Sequence, residues 1–227
     1  MIYGQSFLSL NQTLREYVRD DVQDFLLDDG IKVVDVAVQM ASCVWETMKI
    51  HFPNTRDLSH WLGRIAGLQM KQGQRPHWLT PNRMMVQTYS NTKKRDYLKL
   101  WVSGRTVRVQ QNDQDKTSFN VGRSKRRMVP DYVQSMDAAF LQRFACHWFD
   151  TYGHPLSTVH DCFGTTIANV GTLRAELNDQ WARFYSVDHL ARHKGAAEVT
   201  VGVELPPPPC RGTLERDLIG ENPYLFC

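Results

Sequence analysis

The sequence predicts a mixed α+β protein: helices come first, a β-hairpin follows, and a second, shorter strand pair lies in the last third. Three observations carry this. Apolar residues recur with helical spacing from Leu14 to Ile65. Residues 97–110 alternate between apolar and polar. A short apolar, β-branched run enters His160-Asp161, and Phe163-Gly164-Thr165-Thr166-Ile167 leaves it. At 227 residues the chain can bury a substantial core, with 42% hydrophobic and 22% charged residues, and the length admits one or two domains.

Leu14, Val18, Val22, Phe25 and Leu26 predict a first helix that stops at Asp29-Gly30. From Ile31 to Ile50 the apolar positions Val34, Val38, Ala41, Val44, Trp45 and Met48 are dense enough to predict a helix buried on most sides. Asn54 is a candidate cap for a third helix with Leu58, Trp61, Leu62 and Ile65 on its apolar face. In the alternating stretch, Leu98, Leu100 and Val102 share one face and Lys99 and Trp101 the other. Beyond Ser103-Gly104, Val107 and Val109 oppose Thr106, Arg108 and Gln110. Alternation about a Ser-Gly turn predicts a β-hairpin. Lys99, Arg108 and Gln110 on its polar face suit base edges in a major groove, although such a face is equally a solvated one. After Pro130, the stripe Met136, Phe140, Phe144, Trp148 predicts a helix ending before Tyr152-Gly153, with Asp137 in its first turn at the positive end of the dipole. Asn169 is a candidate cap for a last helix bearing Val170, Leu173, Leu177, Trp181 and Phe184, and Pro206–Pro209 form a stiff polyproline link.

The net charge of +3 is unevenly spread. Between Lys93 and Arg127, eleven cations face three aspartates, so this segment carries +8 and the remainder −5. Four of the cations, Arg123, Lys125, Arg126 and Arg127, fall within six residues. Such a segment points to a polyanion-binding surface in which phosphate contacts supply affinity without sequence choice. The five cysteines, Cys43, Cys146, Cys162, Cys210 and Cys227, contain no C-x-x-C pair and read as reduced thiols of a cytosolic compartment. No apolar run approaches the ~18–20 residues that span a bilayer, and no basic-then-apolar leader is present, so a soluble, non-secreted protein is expected.

An Asp in a turn is by itself a turn residue. The whole phrase Val159-His160-Asp161-Cys162-Phe163-Gly164-Thr165, however, resembles the last catalytic motif of the single-subunit DNA-directed RNA polymerases of bacteriophages, mitochondria and plastids, with a phage-like ending. Pro130-Asp131-Tyr132-Val133-Gln134-Ser135-Met136-Asp137 resembles that family's Pro-Asn-Phe-(Val/Ile)-His-Ser-x-Asp segment. His77-Trp78-Leu79-Thr80-Pro81 with Val86-Gln87-Thr88-Tyr89 resembles a third segment, and Tyr3-Gly4 a fourth. The four occur in the family's order and span essentially the whole chain.

The resemblance implies the C-terminal portion of a right-hand polymerase, α+β in class. The end of the fingers would occupy residues 1–88, a basic promoter-specificity hairpin 89–130, and a palm segment with a catalytic β-hairpin 131–227. It implies phosphodiester formation from ribonucleoside triphosphates on a DNA template, by a mechanism using two magnesium ions. Asp161 would be one metal-bridging carboxylate. His160 would lie beside the primer end, Tyr3 and Gly4 beside the incoming nucleotide, and Gln134 near the minor groove. The implied partners are promoter duplex, template strand, nascent RNA, ribonucleoside triphosphates and the N-terminal remainder of the polymerase; a phage protein would act in the host cytoplasm. The triphosphate-binding Arg and Lys and the first catalytic Asp are expected upstream of this chain. Where the upstream remainder should pack, the isolated chain is expected to expose apolar surface and to dissolve poorly.

Four departures from the family pattern stand out. Gln134 and Phe140 occupy positions where histidines are usual, Asn82-Arg83-Met84-Met85 replaces a Gly-containing turn, and Cys227 replaces a small terminal residue. Two alternatives remain. One is a DNA polymerase of the related His-Asp-Glu type, against which the Cys162-Phe163-Gly164 continuation argues. The other is a non-catalytic DNA-binding remnant working through residues 93–127.

Overall fold

The computed structural model describes residues 7–22, 32–102, 104–159 and 162–212, and within the strands it leaves out the side chains of 93–96 and 110–117. It consists of two compact units, Met1–Trp61 with Pro209–Arg211, and Leu62–Pro208 with Gly212–Cys227. In the first, α1 (Phe7–Tyr17) runs into a π-helical turn (Val18–Val22), and both pack on α2 (Val33–His51). The ring of Phe7 meets Trp45 edge-on at 5.8 Å, and Ala37 and Ala41 are fully buried. The predicted burial of α2 on most sides is not found: Val34, Val38, Val44 and Ile50 are exposed. Among the described residues, α1 and the π-helical turn are what pack on it. Phe25, Leu26 and the Asp29-Gly30 stop lie outside the described residues.

Helix α3 (Pro53–Lys71) opens on Pro53, where a missing N–H costs nothing because the first turn has no acceptor for it, so Asn54 sits inside the helix and does not cap it. The division between the two units falls within this helix, after Trp61. Its later face, Leu62, Ile65, Ala66 and Met70, is buried.

In the second unit, β1 (His77–Leu79) and β2 (Met85–Gln87) form a small antiparallel hairpin with Trp78 opposite Val86. Gln69, only 1% exposed, serves its first residue like another strand: its Nε2 donates to His77 O at 3.0 Å, and His77 N donates to its Oε1 at 3.2 Å. At the tip, Arg83 N donates to Thr80 O at 2.8 Å and Arg83 adopts φ +62°, the left-handed conformation that a glycine takes without penalty. In this turn an arginine holds the strained position.

β3 (Asn91–Val102) and β4 (Arg105–Phe119) pair antiparallel, with a register shift between Asn91 and Thr92. Gly104 at φ +78° turns the chain between Val102 and Arg105. The expected hairpin is therefore present and longer than the alternation suggested, roughly 40 Å at about 3.4 Å per residue.

Helix α4 (Val121–Tyr152) organises the unit. It was expected to begin after Pro130, but it starts at Val121, where the Asn120 side chain accepts from Arg123 N at 3.0 Å. Pro130 lies in the interior. There it removes the N–H that would bond the Arg126 carbonyl, a defect of about 3 kcal/mol in an exposed helix. Met128 and Tyr132, buried on either side, supply the packing that holds the helix through it. Asp137 consequently lies mid-helix, far from any dipole end, and accepts from Tyr185 Oη at 3.1 Å. Burial first, then Asp137, raises the Tyr185 phenol.

Polar ties join the β1–β2 hairpin to α4. Trp78 Nε1 donates to Ser135 Oγ at 2.9 Å, and Ser135 Oγ donates to Tyr132 O at 2.7 Å. Thr88 Oγ1 donates to Asp131, and Asn82 Nδ2 donates to Ala139 O at 2.8 Å. The segments around Trp78 and Ser135 are thus bonded to each other directly.

Helix α5 (Val170–Ser186) follows a 3₁₀ turn (Ile167–Asn169) and buries Leu173, Leu177 and Phe184 as expected. Asn169 occupies the N-cap position as expected but makes no side-chain capping bond; its Nδ2 donates to Thr166 Oγ1 at 2.9 Å. Glu176 of α5 accepts from Tyr152 Oη at 2.7 Å and pairs with His147 Nε2 at 2.9 Å. Burial alone would raise the Glu176 carboxyl, but the bonds from Tyr152 and His147 outweigh it and hold the pKa below the usual value. A further helix, α6 (His189–Val201), was not foreseen. Asp188 Oδ1 caps it by accepting from Ala191 N at 2.8 Å, and Gly202 ends it at φ +66°. It presses His193 against the Tyr132 ring, centroids 5.0 Å apart, and burial pushes His193 down to about 4.

Two predictions follow from this geometry. Arg83→Gly relieves the left-handed strain and should stabilise the protein by about 0.5–1 kcal/mol, the greater freedom of the unfolded glycine offsetting part of the gain. A lower urea midpoint in this variant would contradict the strain. Between pH 6.5 and about 4 the unfolded chain binds a proton at His193 that the folded chain refuses. Stability should therefore fall as pH falls through that window, by an amount on the order of 3 kcal/mol. His193→Phe should flatten this dependence, and an unchanged acid-side slope in urea titrations would refute the assignment.

Candidate nucleic-acid and catalytic site

β5 (Ser157–Val159) and β6 (Cys162–Gly164) pair antiparallel, with Ser157 opposite Gly164, Thr158 opposite Phe163 and Val159 opposite Cys162. This is the expected ribbon on both sides of His160-Asp161, two residues that themselves lie outside the described part, as do Tyr3 and Gly4. What seats the ribbon is Phe163. Its ring meets Phe144 edge-on at 5.5 Å and Phe140 at 6.4 Å. Phe140 in turn contacts Phe184 at 5.8 Å, and Phe144 contacts Trp148 at 6.1 Å. Phe140 is thus a core aromatic joining α4, α5 and the ribbon.

The ends of the ribbon are fastened too. Gly153 leaves α4 at φ +62°, and Trp148 Nε1 donates to His154 O at 3.0 Å. Thr165 Oγ1 donates to Pro155 O at 2.7 Å. A Cβ on Gly164 would stand 2.7 Å from Ser157 Oγ, so a side chain there would push the hydroxyl aside.

On the long hairpin the register sorts the faces as the alternation does. Lys99 stands directly opposite Arg108, and Tyr97 opposite Gln110, whose side chain is not described. Trp101, 75% exposed, shares this face with Thr106 opposite. Two cations directly across an antiparallel pair repel one another in the absence of an anion, and their exposure leaves that face open to one. The other face, Leu98, Leu100, Val102, Val107 and Val109, is exposed as well.

The basic cluster 123–127 is helical and therefore points several ways. Lys125 lies along α3, its Cε and Nζ at 2.7 and 3.0 Å from where a Cβ on Gly67 would be. Arg123 and Arg127, one turn apart, line an open polar cleft of about 410 Å³ with Gln87, Thr88, Tyr89, Ser90 and Asn91. Arg127 Nε is 3.7 Å from Asp131, and Arg75 lies over the Tyr89 ring at 4.0 Å from its centroid. Gln134, further along α4, is exposed, as is Arg126. The sequence reading did not single out Tyr89, Asn91 or Arg75 as binding residues. Tyr89 ends the Val86–Tyr89 segment that carries part of the resemblance, and that segment runs straight into the hairpin.

The family model for DNA-dependent RNA polymerase matches residues 1–205. The chain belongs to this family. It is 25% identical to the mouse mitochondrial DNA-directed RNA polymerase over 79% of its own length and 14% of the relative. It is 23% identical to an Arabidopsis chloroplastic/mitochondrial DNA-directed RNA polymerase over 99% of its length and 22% of the relative. With the DNA-directed RNA polymerase of Enterobacteria phage K11 it shares 23% identity over 96% of its length and 27% of the relative. The chain thus spans about a quarter or less of these polymerases.

Among the described residues, no group of three His, Cys, Asp or Glu could hold a metal ion, and no helix is long and apolar enough to cross a membrane. Cys43, Cys146 and Cys210 are exposed free thiols.

Phe163→Ala should cost about 2 kcal/mol, part of an aromatic anchor that is only half-buried, and should speed amide exchange in β5 and β6 while β1 and β2 keep their protection. Unchanged exchange in β5 and β6 would show that something other than Phe163 seats the ribbon.

Proposed function

We propose that this chain is the C-terminal portion of a single-subunit RNA polymerase and supplies the His160-Asp161 half of its catalytic centre. The observation that carries the reading is the register of β5 and β6, which brackets His160-Asp161 within a ribbon anchored on α4. The reaction is attack of an RNA 3′-hydroxyl on the α-phosphate of a ribonucleoside triphosphate, directed by a DNA template. Residues 1–88 would complete the fingers, 89–130 read promoter DNA, and 131–227 form the palm segment.

Asp161 is a hard-oxygen donor of the kind magnesium requires, and it would act with a second carboxylate from the upstream part of the polymerase. When bound, the magnesium ions supply charge neutralisation at the reacting hydroxyl and at the leaving pyrophosphate. The remaining roles belong to the chain's own residues. Asp161 brings the negative charge and His160 lies beside the primer end. Tyr3 and Gly4 flank the incoming nucleotide, and Gln134 offers an amide to the primer–template duplex. On the hairpin, Lys99, Arg108 and Gln110 face base edges in the promoter, while Arg123, Lys125, Arg126 and Arg127 supply cations for phosphates.

A second reading, a DNA-binding remnant without activity, is favoured by one feature: the hairpin and the basic helix start lie whole within this chain, whereas Asp161 is one carboxylate of a pair. Asp161→Asn in the complete enzyme separates the two. A neutral amide of the same shape removes the charge and should abolish turnover while DNA binding persists; substantial residual activity would overturn the catalytic assignment.

A further inference from the structure

The cationic face of the long hairpin carries a side chain that the reading of base edges leaves unexplained. Trp101 belongs to the second residue pair from the turn, opposite Thr106, and is 75% exposed. Along β3 this face runs Tyr97, Lys99, Trp101, with about 6.8 Å between successive positions. Arg108 stands directly opposite Lys99 and diagonal to Trp101, roughly 7–8 Å away, so two exposed cations flank the indole. An indole reads paired bases poorly. It has one donor and no acceptor, so it cannot match the two-point patterns that tell base edges apart. What it offers is a wide apolar ring face, whereas the faces of paired bases are covered by their neighbours in the stack. A base that has left the stack presents such a face, and its strand brings phosphates along with it. The two opposed cations need a full negative charge beside them, which a phosphate carries and a base edge does not. An apolar protein surface would gain more on the opposite side of the ribbon, where Leu98, Leu100, Val107 and Val109 are exposed, and has no use for the cations.

We propose that Trp101 stacks on an unpaired base of a nucleic-acid strand, with the phosphates flanking that base on Lys99 and Arg108. The end of the hairpin then distinguishes an opened strand from a closed duplex, and at this cation pair the inference refines the reading of base edges. Tyr97, exposed further along β3, lies on the same face as Trp101. The proposal rests on the polymerase reading only for the identity of the strand, namely DNA.

The test is fluorescence anisotropy with the full chain and a labelled single-stranded DNA of mixed sequence, compared with the same strand annealed to its complement, over a range of salt. Trp101→Thr keeps a strand-forming side chain at the position. It should weaken single-strand binding about tenfold and leave the salt slope unchanged, while duplex binding changes less than about twofold. Trp101→Phe, which retains a ring, should keep most of the affinity. Lys99→Gln with Arg108→Gln should instead reduce the salt slope by about 1–2. Val102→Thr, next to Trp101 but on the other face, controls for loosening of the ribbon and should have no effect. Fluorescent adenine analogues in the single strand, quenched by stacking, should dim on binding the native chain and dim less with Trp101→Thr. Equal losses on single strand and duplex, or an equal loss in Val102→Thr, would overturn the stacking. Unchanged single-strand binding in Trp101→Thr would overturn it too and assign the indole to a protein partner. None of these outcomes bears on Asp161, and an active Asp161→Asn enzyme would leave the stacking result standing.

Discussion

The contact on which the rest depends is the seat of Phe163 on Phe140 and Phe144. A pair of three-residue strands has too few backbone hydrogen bonds to persist alone in water. The ribbon around His160-Asp161 keeps one position because an aromatic side chain from β6 is held by a helix that is itself held from several sides. Offset and edge-on aromatic pairs add roughly 0.5–1.5 kcal/mol each to what burial contributes, and they restrict orientation as well as distance. A reacting carboxylate needs that restriction, since errors of about 1 Å cost large factors in rate.

Helix α4 passes this rigidity along the unit. Its C-terminal half carries the aromatic seat, and its middle bonds the β1–β2 hairpin through Ser135 and Asp131. Its first turns present Arg123 and Arg127 to the polar cleft. One continuous element therefore links the proposed catalytic ribbon to the proposed nucleic-acid surface. Pro130 sits between those halves without ending the helix, because Met128 and Tyr132 are buried on either side of it. Phe140 likewise serves packing, its ring joined to those of Phe144, Phe163 and Phe184.

The parts legible in the sequence were those governed by short-range periodicity. Residues 97–110 alternate with period two about Ser103-Gly104, and the observed register places Lys99 opposite Arg108 on the face the alternation assigns. The flanks of His160-Asp161 pair as their β-branched and aromatic composition suggests. Other features depend on tertiary contacts that no local pattern encodes. The helix runs through Pro130 because of packing, α2 leaves Val34, Val38, Val44 and Ile50 exposed, and Gln69 acts as a backbone partner from eight residues away. The left-handed Arg83 could not be read from its own identity, since arginine rarely adopts that conformation. Helix α6 did have local signals, Asp188 at its start and Gly202 at its end, but its apolar spacing is weak.

The central claim, that this chain completes a template-directed RNA polymerase, is tested most directly by nucleotide incorporation. The chain would be joined to, or mixed with, the upstream remainder of the polymerase and supplied with a primed DNA template and labelled nucleoside triphosphates. The account predicts a product that follows the template sequence, requires this chain, and is built from ribonucleotides in preference to deoxynucleotides. A folded, DNA-binding assembly that makes no product would contradict it, as would one that incorporates deoxynucleotides equally well.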